Sequence, residues 1–206
     1  RTLTPLLASD ADSELLLVDL GLGANRLGGS ALAQVYKQIG NTCPDAPAAA
    51  LLKGFFAAMQ KLNAEGRILA YHDRSDGGLF AAVAEMMFVS HSGVSLQLDA
   101  LCSNNTGAIA ALFSEELGAV LQVRNSDKAA VLAAFGEAGV PVHAIGAPTR
   151  DDRLVVCCAG ETLLDETRIS LQQAWSETSW RIQRLRDNPA CADAEYARIA
   201  NPDDTG

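Results

Sequence analysis

The sequence has no excess of basic residues. Its 206 residues include 16 Lys and Arg against 25 Asp and Glu, which gives a formal net charge of −9 at pH 7. The basic stripe that binds the phosphate backbone of nucleic acids is missing, so we expect no nucleic-acid partner. An acidic protein that handles phosphates usually needs a metal ion, or a few well-placed cations, between itself and the phosphate groups.

Long apolar runs and paired cysteines are also missing. No run approaches the roughly 20 residues that a membrane span needs, and the first residues do not resemble a signal peptide. We therefore expect a cytoplasmic protein without a membrane partner. The five cysteines form no CxxC pair, and no histidine lies at ligand spacing from them. This pattern favours reduced thiols over disulfides and disfavours a metal–thiolate site.

Several catalytic and nucleotide-binding motifs are absent. A Ser-His-Asp hydrolase is disfavoured because no GxSxG elbow is present. The glycine-rich stretch GLGANRLGGS, residues 21–30, lacks the spacing of a dinucleotide fingerprint or of a Walker loop. We call this stretch the glycine-rich loop.

What the sequence does contain is a regular alternation of strand and helix patterns. The composition is 49% hydrophobic and 20% charged, as expected of a protein with a packed core. The patterns follow the order β-α-α-β-α-β-α-β-α-β-β, which predicts a mixed α/β layer structure over residues 13–161. Residues 1–12 are expected to end a linker, and residues 162–206 to form a long helix and a further linker. Both chain ends look cut from a longer protein.

Capping signals mark two of the helices. Ser30 is expected to cap a helix over residues 31–40. Asp45 and Pro47 are expected to open the next helix, which should end at Gly66.

The C-terminal segment is predicted to be one long amphipathic helix from Glu161 to the Asn188–Pro189 pair. Its apolar stripe contains Leu171, Trp175, Ile182 and Leu185. We expect this stripe to pack Trp175 onto protein, either the same domain or a neighbour, and to leave Trp180 more exposed.

The motif HDRSDGGL, residues 72–79, lies between a predicted strand and a predicted helix. We call it the aspartate motif. A helix N-terminus offers N–H groups to anions, and Gly77 and Gly78 let the backbone approach a ligand closely. Open α/β sheets bind their ligands at such strand-to-helix loops. Yet Asp73 and Asp76 would repel a phosphate unless a cation lay between them.

The spacing alone leaves alternatives open at four positions. In one interpretation Asp76 is the helix N-cap and Asp73 closes an Asx turn. In the other, the motif holds Mg²⁺, whose shell is completed by water and substrate phosphates. His72 is either a strand-end imidazole with one structural hydrogen bond or a catalytic group. Glu115, in the segment SEELG (residues 114–118, the acidic loop), either contacts a metal or substrate or faces water.

Six segments together resemble large phosphoribosylformylglycinamidine synthase, the multidomain enzyme of purine biosynthesis, and occur in that family's order. They are RTLTP, LLLVDLGLGANRLGGSALAQVY, LKGFFAAMQKL, AYHDRSDGGL, ALFSEELGAVLQV and WSETSWRIQRLRDNPACADAEY. The aspartate motif alone occurs in looser form across the aminoimidazole ribonucleotide (AIR) synthetase superfamily. The last of the six segments narrows the match to the large synthase. If the chain were another member of the superfamily, such as a thiamine-monophosphate kinase, this segment would be unexplained.

The resemblance implies both a fold and a function. The chain would be the C-terminal subdomain of the enzyme's second synthetase-like half. It would be a three-layer α/β domain with a mixed sheet, folded like the C-terminal domain of AIR synthetase. A long helix would follow and lead toward the glutaminase domain. The family enzyme is a ligase that converts formylglycinamide ribonucleotide, glutamine and ATP to the amidine, ADP, phosphate and glutamate. The isolated chain is expected to be inactive, because the ATP-binding and glutaminase residues lie elsewhere.

The resemblance also implies roles for single residues. Asp73 would be a Mg²⁺ ligand and Ser75 would contact the nucleotide, with Gly77 and Gly78 beside it, while Asp76 would cap the helix. The expected ligands are Mg²⁺ and ATP or ADP, at an auxiliary site. The expected partners are the N-terminal ATP-binding subdomain and the glutaminase domain of the same polypeptide. The competing hypothesis is a non-catalytic packing and assembly module whose nucleotide, if any, is structural.

Overall fold

A computed structural model describes residues 2–8, 11–46 and 48–201. The strands are β1 (Ser13–Asp19), β2 (Ile68–Asp73), β3 (Gly93–Gln97), β4 (Gly118–Arg124), β5 (Val142–Thr149), β6 (Arg153–Cys158) and β7 (Glu161–Thr167). The helices are α1 (Ala31–Val35), α2 (Ala49–Ala64), α3 (Gly78–Ser90), α4 (Asn105–Phe113), α5 (Lys128–Glu137), α6 (Arg168–Arg186) and α7 (Pro189–Arg198). Pro47, predicted to open α2, lies outside the described residues, as do Arg1 and residues 202–206.

The strands form one mixed sheet in the order β2-β4-β1-β5-β3-β6-β7. Neighbouring strands are antiparallel except for the parallel pair β3 and β6. Strand β1 lies near the centre, where Leu15 and Leu17 join the core on one face and Leu16 and Val18 join the core on the other. Burial on both faces explains why this strand is a continuous apolar run rather than an alternating one.

Helices cover both faces of the sheet. On one face α3 and α4 contribute Leu79, Met86 and Leu112 to the core. On the other, α2 and α5 contribute Leu62 and Phe135. The predicted three-layer α/β fold is therefore confirmed, as is the order of the first eleven elements. Within the described ranges, none of the helices combines the length and apolar character that crossing a membrane requires.

The caps of the first two helices can be compared with their predictions. Ser30 caps α1 as predicted, since its hydroxyl accepts a hydrogen bond from the Ala33 N–H at 3.2 Å. The helix ends at Val35, earlier than predicted, because Lys37 adopts a left-handed conformation with φ of 55°. The predicted stop of α2 near Gly66 is confirmed, and this glycine has φ of 70°.

The prediction of a single helix from Glu161 to Pro189 is wrong at its start, whereas its predicted end at the Asn188–Pro189 pair is confirmed. Its first seven residues form β7, which pairs with β6 through a tight hairpin. The turn residues Ala159 and Gly160 have φ of 53° and 79°. Two successive positive φ angles are typical of a type I′ turn, whose twist matches that of the strands. At the other end α6 stops at Arg186, and the proline begins α7, because proline fits the first turn of a helix.

The two tryptophans of α6 show the reverse of the predicted exposures. Trp175 is 62% exposed, although its ring contacts Phe88 with centroids 5.9 Å apart. Trp180 is half-buried, because α7 folds back and stacks Tyr196 on it at 4.5 Å. Much of the predicted stripe stays open, and Leu185 is 90% exposed.

Candidate functional site

Three loops meet at one end of the sheet. The glycine-rich loop follows β1, and the aspartate motif begins with the last two residues of β2. The acidic loop leads into β4, which lies between these two strands and is antiparallel to both. Asp19 is therefore in register with Gly118, and Asp73 with Ala119. Segments far apart in the sequence thus form one junction, which we call the loop junction.

Arg74, inside the aspartate motif, is the buried centre of the loop junction. The residue is 3% exposed, and its Nη2 donates a hydrogen bond to Asp19 Oδ1 at 2.7 Å. Its Nε donates to the Glu116 carbonyl at 2.6 Å, and Nη2 donates to the Leu117 carbonyl at 3.0 Å. A buried arginine is tolerated when a carboxylate and further acceptors meet its donors. Arg74 therefore ties the ends of β1 and β2 to the acidic loop, although its Nη1 has no hydrogen-bond partner among the described residues.

A second ion pair joins the glycine-rich loop to the acidic loop. Arg26 meets the fully buried Glu116 with two side-chain bonds, Nε to Oε1 at 2.6 Å and Nη2 to Oε2 at 2.7 Å. The Arg26 backbone N–H adds a bond to Oε1 at 3.1 Å. The hydrogen bond to Glu116 raises the pKa of Arg26 above its ordinary value. The arginine fork and the carboxylate thus hold each other in a bidentate geometry.

Glu115 places a carboxylate against two helix beginnings. Its Oε1 accepts the N–H of Ala31, the first residue of α1, at 2.8 Å and the N–H of Gly77 at 2.9 Å. The interpretation in which Glu115 faces water is therefore wrong, and a metal contact stays a prediction. The prediction that Asp76 caps α3 is also wrong. The N-cap residue is Gly77, with φ of 78°, and no side chain of the described residues makes a cap hydrogen bond there. The Glu115 carboxylate accepts the N–H of Gly77 itself.

The glycines of the aspartate motif have structural reasons of their own. Gly78 has φ of 68°, and a Cβ built on it would lie 2.6 Å from the Leu112 carbonyl oxygen and 2.7 Å from that of Ser114. Its N–H donates to the Ser75 carbonyl at 2.9 Å. The loop therefore needs glycine there for close packing. Contacts of Gly77 and Gly78 with a nucleotide stay a prediction.

Asp73 and Ser75 lie exposed at the rim of the loop junction, and so does Asp76. The Asp73 Oδ1 accepts a hydrogen bond from the Tyr71 hydroxyl. Burial of the phenol and, after it, this hydrogen bond raise the pKa of Tyr71 well above its ordinary value, so the phenol stays a donor. The proposed metal ligand is thus accessible on a strand end, with one oxygen already engaged.

His72 points to the opposite face of β2 from Asp73, because side chains alternate along a strand. Its Nδ1 lies 2.7 Å from the Asp73 carbonyl oxygen and its Nε2 lies 2.9 Å from Glu85 Oε2. Glu85 also accepts the indole N–H of Trp175 at 3.2 Å. His72 therefore makes two polar contacts where one was predicted, and a catalytic role stays a prediction.

The loop junction contains four charged residues and one tyrosine that the sequence patterns do not predict: Asp19, Arg26, Arg74, Glu116 and Tyr71. Signals for two of them were present. Asp19 ends a run that is otherwise apolar, and Arg74 lies between the two aspartates of the motif. Their partners were not visible, because pairing depends on which strands become neighbours.

The architecture defines a class of protein: a mixed α/β domain in three layers, with a junction of three loops at one sheet end. The chain belongs to the family described as AIR synthase related protein, C-terminal domain, which matches residues 13–158.

Solved structures share the fold. Thermotoga maritima PurL complexed with FGAR superposes with a TM-score of 0.64 and 14% identity, over 82% of this chain and 29% of that one. T. maritima PurL complexed with ATP gives a TM-score of 0.61 and 13% identity, over 80% and 26%. The hydrogenase maturation protein HypE of E. coli gives 0.52 and 18%, over 79% and 51%. At these identities the likeness shows the fold, and the chain spans about 26% of the ATP-bound PurL chain.

Proposed function

We propose that the chain is the C-terminal subdomain of the second synthetase-like half of a large phosphoribosylformylglycinamidine synthase. The family membership and the fold of T. maritima PurL, solved with ATP, ADP and FGAR, support this proposal. In the whole ligase, ATP would activate the amide oxygen of formylglycinamide ribonucleotide, and ammonia from glutamine would then attack. This domain would form one wall of an auxiliary Mg-nucleotide site and would dock on the ATP-binding and glutaminase domains.

The observation that carries the proposal is that the arginines of the loop junction are paired with carboxylates, whereas Asp73 is exposed. Arg26 and Arg74 are the only Lys or Arg residues of the three loop sequences, and each is paired with a carboxylate. Neither is therefore available to neutralise a phosphate. Asp73 and Ser75 lie exposed at the same junction. A phosphate bound beside Asp73 would need a cation from elsewhere, and Mg²⁺ is the usual one.

Asp73 fits the role of one Mg²⁺ ligand. Within residues 2–8, 11–46 and 48–201, no cluster of three or more His, Cys, Asp or Glu could hold a metal by itself. Mg²⁺ often takes only one or two carboxylates and completes its shell with phosphate oxygens and water. Asp73 would supply one carboxylate, and the Ser75 hydroxyl would bind the nucleotide beside it. When bound, the ion would neutralise phosphate charge.

A non-catalytic packing module is the second candidate, and one observation favours it. The N–H groups of Gly77 and Gly78 are engaged by Glu115 and by the Ser75 carbonyl. The motif could therefore owe its sequence to the rigid junction alone. Binding of nucleotide through Asp73 separates the two candidates.

The test uses the full-length polypeptide that carries this chain. We expect Asp73→Asn to lower the nucleotide content of the purified protein, because the substitution keeps the size and removes a charge that the metal needs. Added Mg²⁺ should partly restore the content. Asp76→Asn is the matched control: it makes the same chemical change three residues away, on an exposed side chain. Equal nucleotide content in Asp73→Asn and the parent would reject the metal role.

A further inference from the structure

Tyr71 and Asp73 lie two residues apart on β2, so their side chains share one face of the sheet. The Tyr71 hydroxyl donates to Asp73 Oδ1. Its ring packs against the core between the sheet and α2, where it lines a cavity of about 300 Å³ with Phe55 and Met59. The donor is thus held by packing, whereas the carboxylate that accepts the bond is exposed.

We propose that Tyr71 is a positioning residue for the Asp73 carboxylate. The inference rests on the proposed function, since it requires Asp73 to bind Mg²⁺. A free carboxylate on an exposed side chain samples several orientations, and binding a cation must restrict them. With Oδ1 held by the phenol, Oδ2 keeps one direction and stays available to the ion. The hydrogen bond is charge-assisted, which makes it stronger than a bond between neutral groups.

The backbone of β2 that carries Tyr71 and Asp73 is hydrogen-bonded on both of its edges, although β2 is an edge strand of the sheet. Toward the sheet, Tyr71 pairs with Leu121 of β4 and Asp73 pairs with Ala119. On the open edge, the Tyr71 N–H donates to the Thr4 carbonyl at 2.9 Å. A ligand on a rigid element with a supporting hydrogen bond is better oriented than one on a free loop. Outer partners of this kind typically change metal affinity about 10–100-fold when removed.

The experiment measures ADP content of the full-length polypeptide as a function of Mg²⁺ concentration. We expect Tyr71→Phe to raise the Mg²⁺ concentration for half-maximal ADP retention about tenfold, the lower end of that range, because Asp73 is exposed. Retention at saturating Mg²⁺ should match the parent, since the ring and the nucleotide contacts remain. The matched control is Tyr196→Phe, which removes a phenol hydrogen bond of 3.0 Å to the Gln173 carbonyl between α6 and α7. It should leave the half-saturation point unchanged.

Two results would overturn the inference without touching the proposed function. One is an unchanged half-saturation point in Tyr71→Phe when Asp73→Asn shifts it. The other is lower ADP retention in Tyr71→Phe at every Mg²⁺ concentration, including saturation, which is the sign of a structural role only. If Asp73→Asn itself leaves the half-saturation point unchanged, the proposed function fails and the inference falls with it.

Discussion

Replacing Gly78 by alanine should destabilise the protein far more than replacing a glycine of the same backbone conformation elsewhere. Gly78 has φ of 68°, and an added Cβ would lie 2.6 Å from the Leu112 carbonyl oxygen and 2.7 Å from the Ser114 carbonyl oxygen. Both close atoms belong to the backbone, so they cannot rotate away. The variant therefore carries a conformational cost and a packing cost together.

Two other glycines separate these costs. Gly139, which follows α5, has φ of 69°, and no atom of the described residues lies within 4 Å of an added Cβ. Gly139→Ala therefore has only the energetic penalty of the left-handed conformation. That penalty is about 1–2 kcal/mol, partly offset by the lower entropy of the unfolded chain. Gly136 lies within α5 with open space, and Gly136→Ala should stabilise by about 0.5–1 kcal/mol. Overpacking adds about 1–3 kcal/mol at Gly78, for a loss of roughly 2–4 kcal/mol.

Urea unfolding of the three variants measures these differences. We expect the midpoint concentration to fall strongly for Gly78→Ala, to fall slightly for Gly139→Ala, and to rise for Gly136→Ala, with m unchanged. Equal losses for Gly78→Ala and Gly139→Ala would refute the close approach of the aspartate motif to the end of α4. Close packing would then not explain why position 78 is a glycine, and a ligand contact would become the better explanation.

Two further predictions concern buried groups. Arg74→Met should lower the free energy of unfolding by about 3–5 kcal/mol, because it leaves the Asp19 carboxylate buried without its cation. The measurement is urea unfolding, and a loss below about 1 kcal/mol would contradict the ion pair. Burial, and after it the hydrogen bond with the Cys158 thiol, raise the pKa of Cys102 to about 12 from its ordinary value of 9.0. Since alkylation needs the thiolate, iodoacetamide at pH 8 should label the exposed Cys43 and Cys191 well before Cys102, as followed by mass spectrometry. The folded state holds this proton longer than the unfolded chain, so the stability that the thiol contributes is present below about pH 9 and is lost as the pH rises toward 12. Labelling of Cys102 as fast as Cys191 would contradict its partial burial and its raised pKa.

Most of the sheet could be predicted because its strands carry local signals. The apolar run of β1 and the stripe of α2 report their burial directly, since the core selects the same residues that the periodicity shows. The hairpin into β7 gave no such signal, because Ala159–Gly160 is not the Asn-Gly or Asp-Gly pair that marks a type I′ turn. The residues that follow, at the edge of the sheet, therefore have a pattern that predicts a continuation of the helix. At the other end of α6, the Asn188–Pro189 pair predicts where a helix ends but does not show that α7 begins there. Tyr196 of α7 stacks on Trp180 and leaves it half-buried, which the sequence does not predict.

The loop junction could be predicted only in part. The aspartate motif drew attention to Asp73 because a carboxylate at a strand end is visible in the sequence. The pairs that hold the junction were not visible, since Arg74 lies 55 residues from Asp19, and Arg26 lies 90 residues from Glu116. Such pairs follow from the antiparallel placement of β4 between β1 and β2, which no local pattern encodes. The sequence-based cap at Asp76 failed for the same reason.

Glu115 constrains where a phosphate could lie in the loop junction. Its carboxylate already accepts the Gly77 N–H and the N–H of Ala31, so it occupies the anion position at the beginnings of α3 and α1. A phosphate bound to the Gly77 N–H would have to displace Glu115, and two carboxylate hydrogen bonds would be lost. A phosphate at the exposed rim, beside Asp73 and Ser75, displaces nothing. Because Asp73 repels a bare phosphate, the rim position requires a cation between them. The glycine N–H groups already have hydrogen-bond partners within the protein. This favours phosphate binding through Asp73 and Mg²⁺ over direct binding of the phosphate by these N–H groups.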